Sequence, residues 1–373
     1  MTRLIRMKIY FARDQPFSCF QTVLLYPTDI SPILFRPQIA MSPEHEYDLY
    51  KYSNKTVFGI NDTASRYTWA GFLVFVLISS FFGDTTILIA SLKYRAFKLH
   101  KIIIAVIQHI AFCDLMVTFL NALPRFVSVV SNEWVFGIFL GYLVTYTKYY
   151  FNGSSMFLVC IMTFSKVLLL KYPLRFAKVS VKKAHMLCGA CWLAALITPV
   201  SFILVSIVDG EDIYFSYRHY LCELTFKSDT WYWLKPLLTV AVVFIPNCLV
   251  IATTIYLLII AKQVAHRGRE SLKWQGIMTT VSIAAIYCVS VLPYAVYNIG
   301  ESSVDDDSFF HTTFYRVANS FPYFNTISNF YIYSLSVHSF RDFIRSRIQQ
   351  TYQIFTSIGT SAGQGEIIAI LNR

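Results

Sequence analysis

The run from Trp134 to Leu174 restricts the fold more than any other part of the chain. It is apolar over most of its length, yet it holds Lys148, Asn152, Ser154 and Ser155 mid-run and Lys166 near its end. An α-helix rises about 1.5 Å per residue, and roughly 20 apolar residues cross a bilayer core. This run is longer, so a helix made from it crosses with tilt or projects beyond the membrane. A helix facing lipid on every side cannot carry two lysines. They must turn to a bundle interior, a cavity or the interface, which makes both functional candidates.

The rest of the chain agrees. Of 373 residues, 55% are hydrophobic and only 14% charged, against about a quarter charged in a soluble domain. The formal charge of +11 does not point to nucleic acid, because no recognition motif or basic repeat accompanies it. Cys188 and Cys191 form one CxxC inside an apolar run, with no second pair to complete a zinc site. Only Cys19 and Cys222 lie where an oxidising compartment would reach them.

Apolar runs are expected at about 69–92, 102–128, 135–170, 184–208, 232–261, 274–299 and 312–335. The loops between them alternate in charge. Lys93, Arg95, Lys98 and Lys101 lie in the first, Lys171, Arg175, Lys178, Lys182 and Lys183 in the third, and Lys262, Arg267, Arg269 and Lys273 in the fifth. The opposite loops are poor in bases, and the sixth holds Asp305, Asp306 and Asp307. The positive-inside rule then puts the N-terminus outside and the C-terminus in the cytosol. The acceptor triplets at Asn54 and Asn61 fit a glycosylated outer tail. Met41 opens a more polar stretch and is a candidate start.

The expectation is an all-α membrane protein, a seven-transmembrane helix bundle over 69–335 with a disordered extracellular tail at 1–68. Phe340, Phe343, Ile344 and Ile348 recur at helical spacing opposite Arg and Gln. They predict a short cytosolic amphipathic eighth helix at 336–356 on the inner membrane face, before a tail at 357–373.

Several residues in order sharpen this reading. They are Gly83-Asp84 in the first run, Asp114 in the second, Trp134-Val135-Phe136-Gly137 before the third and Trp192 with Pro199 in the fourth. Pro246, Pro293-Tyr294, Asn325 and Asn329-Phe330-Tyr331-Ile332-Tyr333 follow in the last three. Together, over about 69–350, they resemble the rhodopsin-like (class A) G-protein-coupled receptors. The departures are as plain. Ser165-Lys166-Val167 stands where the family has Asp-Arg-Tyr, Ser290-Val291-Leu292-Pro293 for Cys-Trp-x-Pro, Phe330 for a proline, and Gly141 for the cysteine that bridges to the outer loop.

The resemblance implies a receptor in the plasma membrane, not an enzyme, with an extracellular ligand, a heterotrimeric G protein, arrestin and the lipid bilayer as partners. Lys148 then faces the ligand, with Arg125 and Arg316 near the same mouth, so an anionic or peptide ligand is expected. Tyr149, Asn152, Tyr294, Asn298, Asn319 and Tyr323 accompany them. Alternatively, Lys148 pairs with Glu223 or Glu301 and closes the pocket. Asp114, Ser155, Asn325 and Asn329 match a sodium site, with Asp84 as a second carboxylate close by; a neutral hydrogen-bonded cluster is the other reading. No further cofactor is implied. Ser165, Lys166, Pro293 and Tyr333 fall at coupling and activation positions, although Lys166 could also snorkel to the interface. Cys222, lacking its usual partner, is either unpaired or joined to Cys19. A transporter or channel with a polar path remains the alternative class.

Overall fold

In the computed structural model, residues 63–92, 100–209, 211–216, 220–226, 233–265, 271–300 and 314–361 are described. The tail expectations at Asn54, Asn61, Cys19 and Met41 lie outside them, as does Glu301. The helices are α1 (Thr63–Leu92), α2 (Lys101–Ser131), α3 (Gly137–Lys171), α4 (Val181–Asp209), α5 (Leu234–Val264), α6 (Ser271–Gly300), α7 (Tyr315–Ser336) and α8 (His338–Ser361). A single helical turn, Pro173–Ala177, links α3 to α4. Between α4 and α5 lies an antiparallel hairpin, β1 (Glu211–Ser216) and β2 (Leu221–Phe226), with Glu211 opposite Phe226.

Six of these helices, α1 to α6, are long and apolar enough to cross a membrane. Seven apolar runs were expected. The seventh forms a helix but falls short in apolarity, because Asn319, Ser320, Asn325, Ser328, Asn329 and Ser334 interrupt it. Asn319, Asn325 and Asn329 are all buried, so α7 turns its polar face into the bundle, packing on α6 and α1. The apolar faces of α4 and α5 are exposed instead, at Leu193, Ile203, Leu204, Leu249 and Ile255 among others.

Prolines shape the helix axes. Pro124 and Pro246 lack the N–H that an α-helix needs, and their rings would crowd the carbonyl four residues back. Each is preceded by a wide π turn, Thr118–Ala122 in α2 and Val240–Phe244 in α5, which makes room for the ring. In α4 the helix breaks at Leu196, four residues after Trp192, because Pro199 cannot donate to the Ala195 carbonyl. Pro293 and Pro322 stay inside α6 and α7.

Local turns shape the segment from Asn132 to Gly137, which holds the Trp134-Val135-Phe136-Gly137 motif. Asn132 ends α2 in a left-handed conformation, φ 60°. Gly137 opens α3 at φ 74°, a value that favours glycine. Trp134 donates its indole N–H to the Gly137 carbonyl at 2.8 Å and stacks edge-on against Phe136.

Packing joins two histidines that lie far apart in the sequence. The Trp192 indole N–H donates to His109 Nδ1 at 3.2 Å, and His109 Nε2 meets His185 Nδ1 at 3.1 Å. This chain ties α2 to α4. It requires the His109 tautomer that carries its proton on Nε2.

Candidate functional site

A cavity opens between α2, α3, α5, α6 and α7, toward the end of the bundle that carries the hairpin. It encloses about 620 Å³ of space, counting its open mouth. Arg125, Lys148, Asn152, Tyr294, Asn319 and Tyr323 all line it. Lys148 is half-buried, with Nζ 5.5 Å above the Tyr294 ring and 5.8 Å above that of Tyr149. It makes no hydrogen bond or ion pair with a described residue, so the closing pair with Glu223 is not formed. Arg125 is buried and already engaged. It donates to the Tyr323 hydroxyl at 3.3 Å and stacks over Trp69 and Tyr323.

Two expected members do not line the cavity. Tyr149 turns toward α4 and packs edge-on against Phe202 at 5.0 Å. Asn298 is buried on its own helix, donating to the Tyr294 carbonyl at 2.9 Å. Arg316 lies on α7 with a side chain outside the described set. The structure adds Val117, Asn121, Met156, Val243, Tyr287, Val291 and Pro322 to the lining. Tyr287 forms part of it and donates to the Asn152 carbonyl at 3.4 Å, linking α6 to α3. Val291 lies one turn along from it on α6.

A second polar centre lies between α1, α2 and α7. Asn329 donates through Nδ2 to Asp114 Oδ2 at 2.7 Å. The Ser80 hydroxyl donates to Asp84 Oδ2 at 2.6 Å and also meets Thr118 Oγ1 at 2.6 Å. Both carboxylates are buried, and the Ser80–Thr118 contact links Asp84 to the helical turn that follows Asp114. Neither is hydrogen bonded to or paired with a basic side chain of a described residue. Asp84 Oδ1, Ser155 Oγ, Asn325 Oδ1 and Asn329 Oδ1 are buried without a hydrogen-bond partner. Asn325 lies one helical turn from Asn329 and so shares its face of α7. Unpartnered hard oxygens beside carboxylates are the donor set a hard cation takes.

Packing between α1 and α7 holds this centre together. Gly83 has so little room that a Cβ there would come within 2.8 Å of Phe330 Cβ. The contact sets Asp84 and Asn329, each adjacent in sequence to one of these residues, on facing helices.

At the opposite end, Ser165 and Lys166 are buried, Lys166 to 5% exposure, so its amine does not snorkel outward. It too makes no hydrogen bond or ion pair with a described residue. Nearby, His100 caps α2 by accepting the Ile102 N–H on Nδ1 at 3.4 Å. Burial, with Lys101 and Lys166 close by, holds this imidazole below its usual range. Tyr333 is buried beside Phe340 of α8, and Pro293 lies within the continuous α6.

The hairpin is docked where a bridging cysteine is missing. Thr145 Oγ1 lies 2.9 Å from both the Gly141 and the Cys222 carbonyls, and its single proton can serve either. Cys222 is buried beneath this contact.

Comparison with known proteins agrees with the architecture. The family model described as 7 transmembrane receptor (rhodopsin family) matches residues 67–333. Cysteinyl leukotriene receptor 1 of Cavia porcellus is 25% identical over 166 residues, covering 43% of this chain and 46% of the relative. That of Mus musculus is 21% identical over 235 residues, covering 59% of this chain and 62% of the relative. The chain thus spans less than two thirds of either relative. With the match running from α1 through α7, the chain belongs to the rhodopsin family of seven-transmembrane receptors.

Proposed function

We propose that this chain is a plasma-membrane receptor that takes an anionic or peptide ligand from outside and activates a heterotrimeric G protein within. In this reading α7 is the seventh crossing, the N-terminus is extracellular, and α8 lies along the inner leaflet. The loop charges support that orientation, since the bases cluster at the end that carries Lys166.

One observation carries the ligand class. Lys148 stands in the cavity with its charge uncompensated by any described residue, among aromatic rings and amides. A carboxylate or phosphate entering there gains a charge-assisted contact in a partly dry site. The relatives are named as receptors for cysteinyl leukotriene, which makes that ligand the first to screen. Inside, the Lys166 amine takes the place of the family's arginine toward the G protein, with arrestin as a second reader of the same face. A cation beside Asp114 completes the resting packing.

The test expresses the chain with a panel of G-protein reporters and screens carboxylate and phosphate ligands. Lys148→Ala should lose the response to the ligand that activates the parent receptor. An unchanged response would overturn the ligand assignment.

A further inference from the structure

Trp192, His109 and His185 form a chain of hydrogen bonds that one proton is enough to break. The Trp192 indole N–H only donates, so His109 Nδ1 must offer a lone pair to accept it at 3.2 Å. A neutral His109 then keeps its proton on Nε2 and gives it to His185 Nδ1, 3.1 Å away. An added proton costs a link wherever it lands. On His109 Nδ1 it faces the indole N–H, donor against donor. On His185 Nδ1 it faces the His109 Nε2 proton. If His109 shifts that proton to Nδ1 in order to accept the new one, the indole link is lost instead. A metal ion on His109 Nε2 would likewise send the ring proton to Nδ1, so the proton is the ligand to which this geometry answers.

The chain sits where such a loss matters. The Trp192 ring is caged by His109 and Phe112 of α2 and by Tyr150 and Phe151 of α3. It lies on Val181–Ala195, the part of α4 that the break at Leu196 separates from the rest. Ala184, next to His185, packs with Phe176 of the Pro173–Ala177 turn and with Ile102 and Ala105 of α2. His185 is exposed and His109 half-buried, so protons have access to the pair. Around it, Cys113 lies one turn along α2, Lys182 and Cys188 lie one turn to either side of His185 on α4, and Tyr150 comes from α3. Among the described residues, neither imidazole is ion-paired with an acid that would hold an added charge in place.

We propose that the His109–His185 pair is a proton-binding site, and that its occupation loosens the Val181–Ala195 segment of α4 from α2. In the orientation proposed above, the pair lies toward the cytosolic end and reads acidity on that side. Imidazole is the side chain whose charge ordinarily changes between about pH 5 and 8. The chain of bonds stabilises the fold fully while both rings are neutral, and that contribution is lost as the pH falls and the pair takes up its proton.

The experiment uses the purified full chain in detergent, where both ends are open to solvent and the orientation in a membrane plays no part. Melting temperatures are followed from about pH 8 to about pH 5 for the parent and for His109→Asn, whose amide oxygen accepts the indole N–H without titrating. Acidification should lower the melting temperature of the parent by at least about 2 °C more than that of the variant. The acid response of His100 is common to both and cancels. Equal losses overturn the proposal. Should His109→Asn fail to fold, the emission of Trp192 decides, taken as the difference between the parent and Trp192→Phe. It should change over the same range as the accepting nitrogen is lost, and a constant signal overturns the proposal.

Discussion

Replacing Gly83 by alanine tests the joint between α1 and α7. The added Cβ meets Phe330 at 2.8 Å from Cβ, 3.2 Å from Cγ and 3.7 Å from Cδ2. The nearest atom is fixed to the backbone, so no rotamer change relieves it and one helix must shift. Overpacking of this kind costs about 1–3 kcal/mol. At about 2–4 °C per kcal/mol for a large domain, the melting temperature should fall by several degrees. The partner substitutions separate the causes. Phe330→Ala keeps the Cβ and so relieves only the two longer contacts. Phe330→Gly removes all three but costs about 1 kcal/mol in helix propensity. In a double-mutant cycle, Gly83→Ala with Phe330→Gly should show a favourable coupling of about 0.5–3 kcal/mol, larger than that with Phe330→Ala. Melting of purified protein in detergent, read by a thiol-reactive or intrinsic fluorescence probe, supplies all four corners of each cycle. A Gly83→Ala chain that melts with the parent would refute the reasoning. So would strictly additive losses.

Other outcomes follow from the same geometry. Lys166 makes no ion pair with a described residue and Ser165 precedes it; under the proposed function, Ser165→Asp should lower basal G-protein signalling, and unchanged basal activity would count against that restraint. Thr145→Val removes the hydroxyl that meets the Cys222 carbonyl and should cost about 1–3 kcal/mol, measured by melting, while Thr145→Ser should cost much less. His100 caps α2 through a nitrogen that must be unprotonated, and its folded pKa is lowered. Its contribution is therefore full above the ordinary imidazole pKa and is lost as pH falls through the lowered value. The melting temperature of His100→Asn, which caps without titrating, should depend less on acid than that of the parent.

Much of this receptor can be read in its residues one by one. Length and apolarity of the runs define six spans, because a bilayer admits few backbone arrangements and helix length follows from its thickness. The order of Asp114, Trp192, Pro293 and Asn329 pointed to the family. Burial of lysines in an apolar run marked Lys148 and Lys166 as functional candidates. Helical period can say which residues share a face, but it cannot say which helix that face meets. Asn121, Tyr287 and Val291 were missed as cavity residues for that reason, while Tyr149 and Asn298, expected beside Lys148, do not line the cavity. The π turns deepen the problem. One extra residue per turn rotates everything beyond it by about 100°, so the direction of Arg125 depends on a bulge that periodicity does not show.

The sequence by itself determined the helical bundle, the buried charges and the altered motifs, since these follow from composition along a single helix. Only the tertiary structure decided how those charges are grouped. It left Lys148 facing a cavity with no described acid beside it and tied Arg125 to Tyr323. It also pressed Phe330 against Gly83, gathering Asp84, Asp114 and Asn329 into one centre. These are contacts between helices far apart in the chain. They are fixed by packing among α1, α2, α3 and α7, which no local pattern encodes.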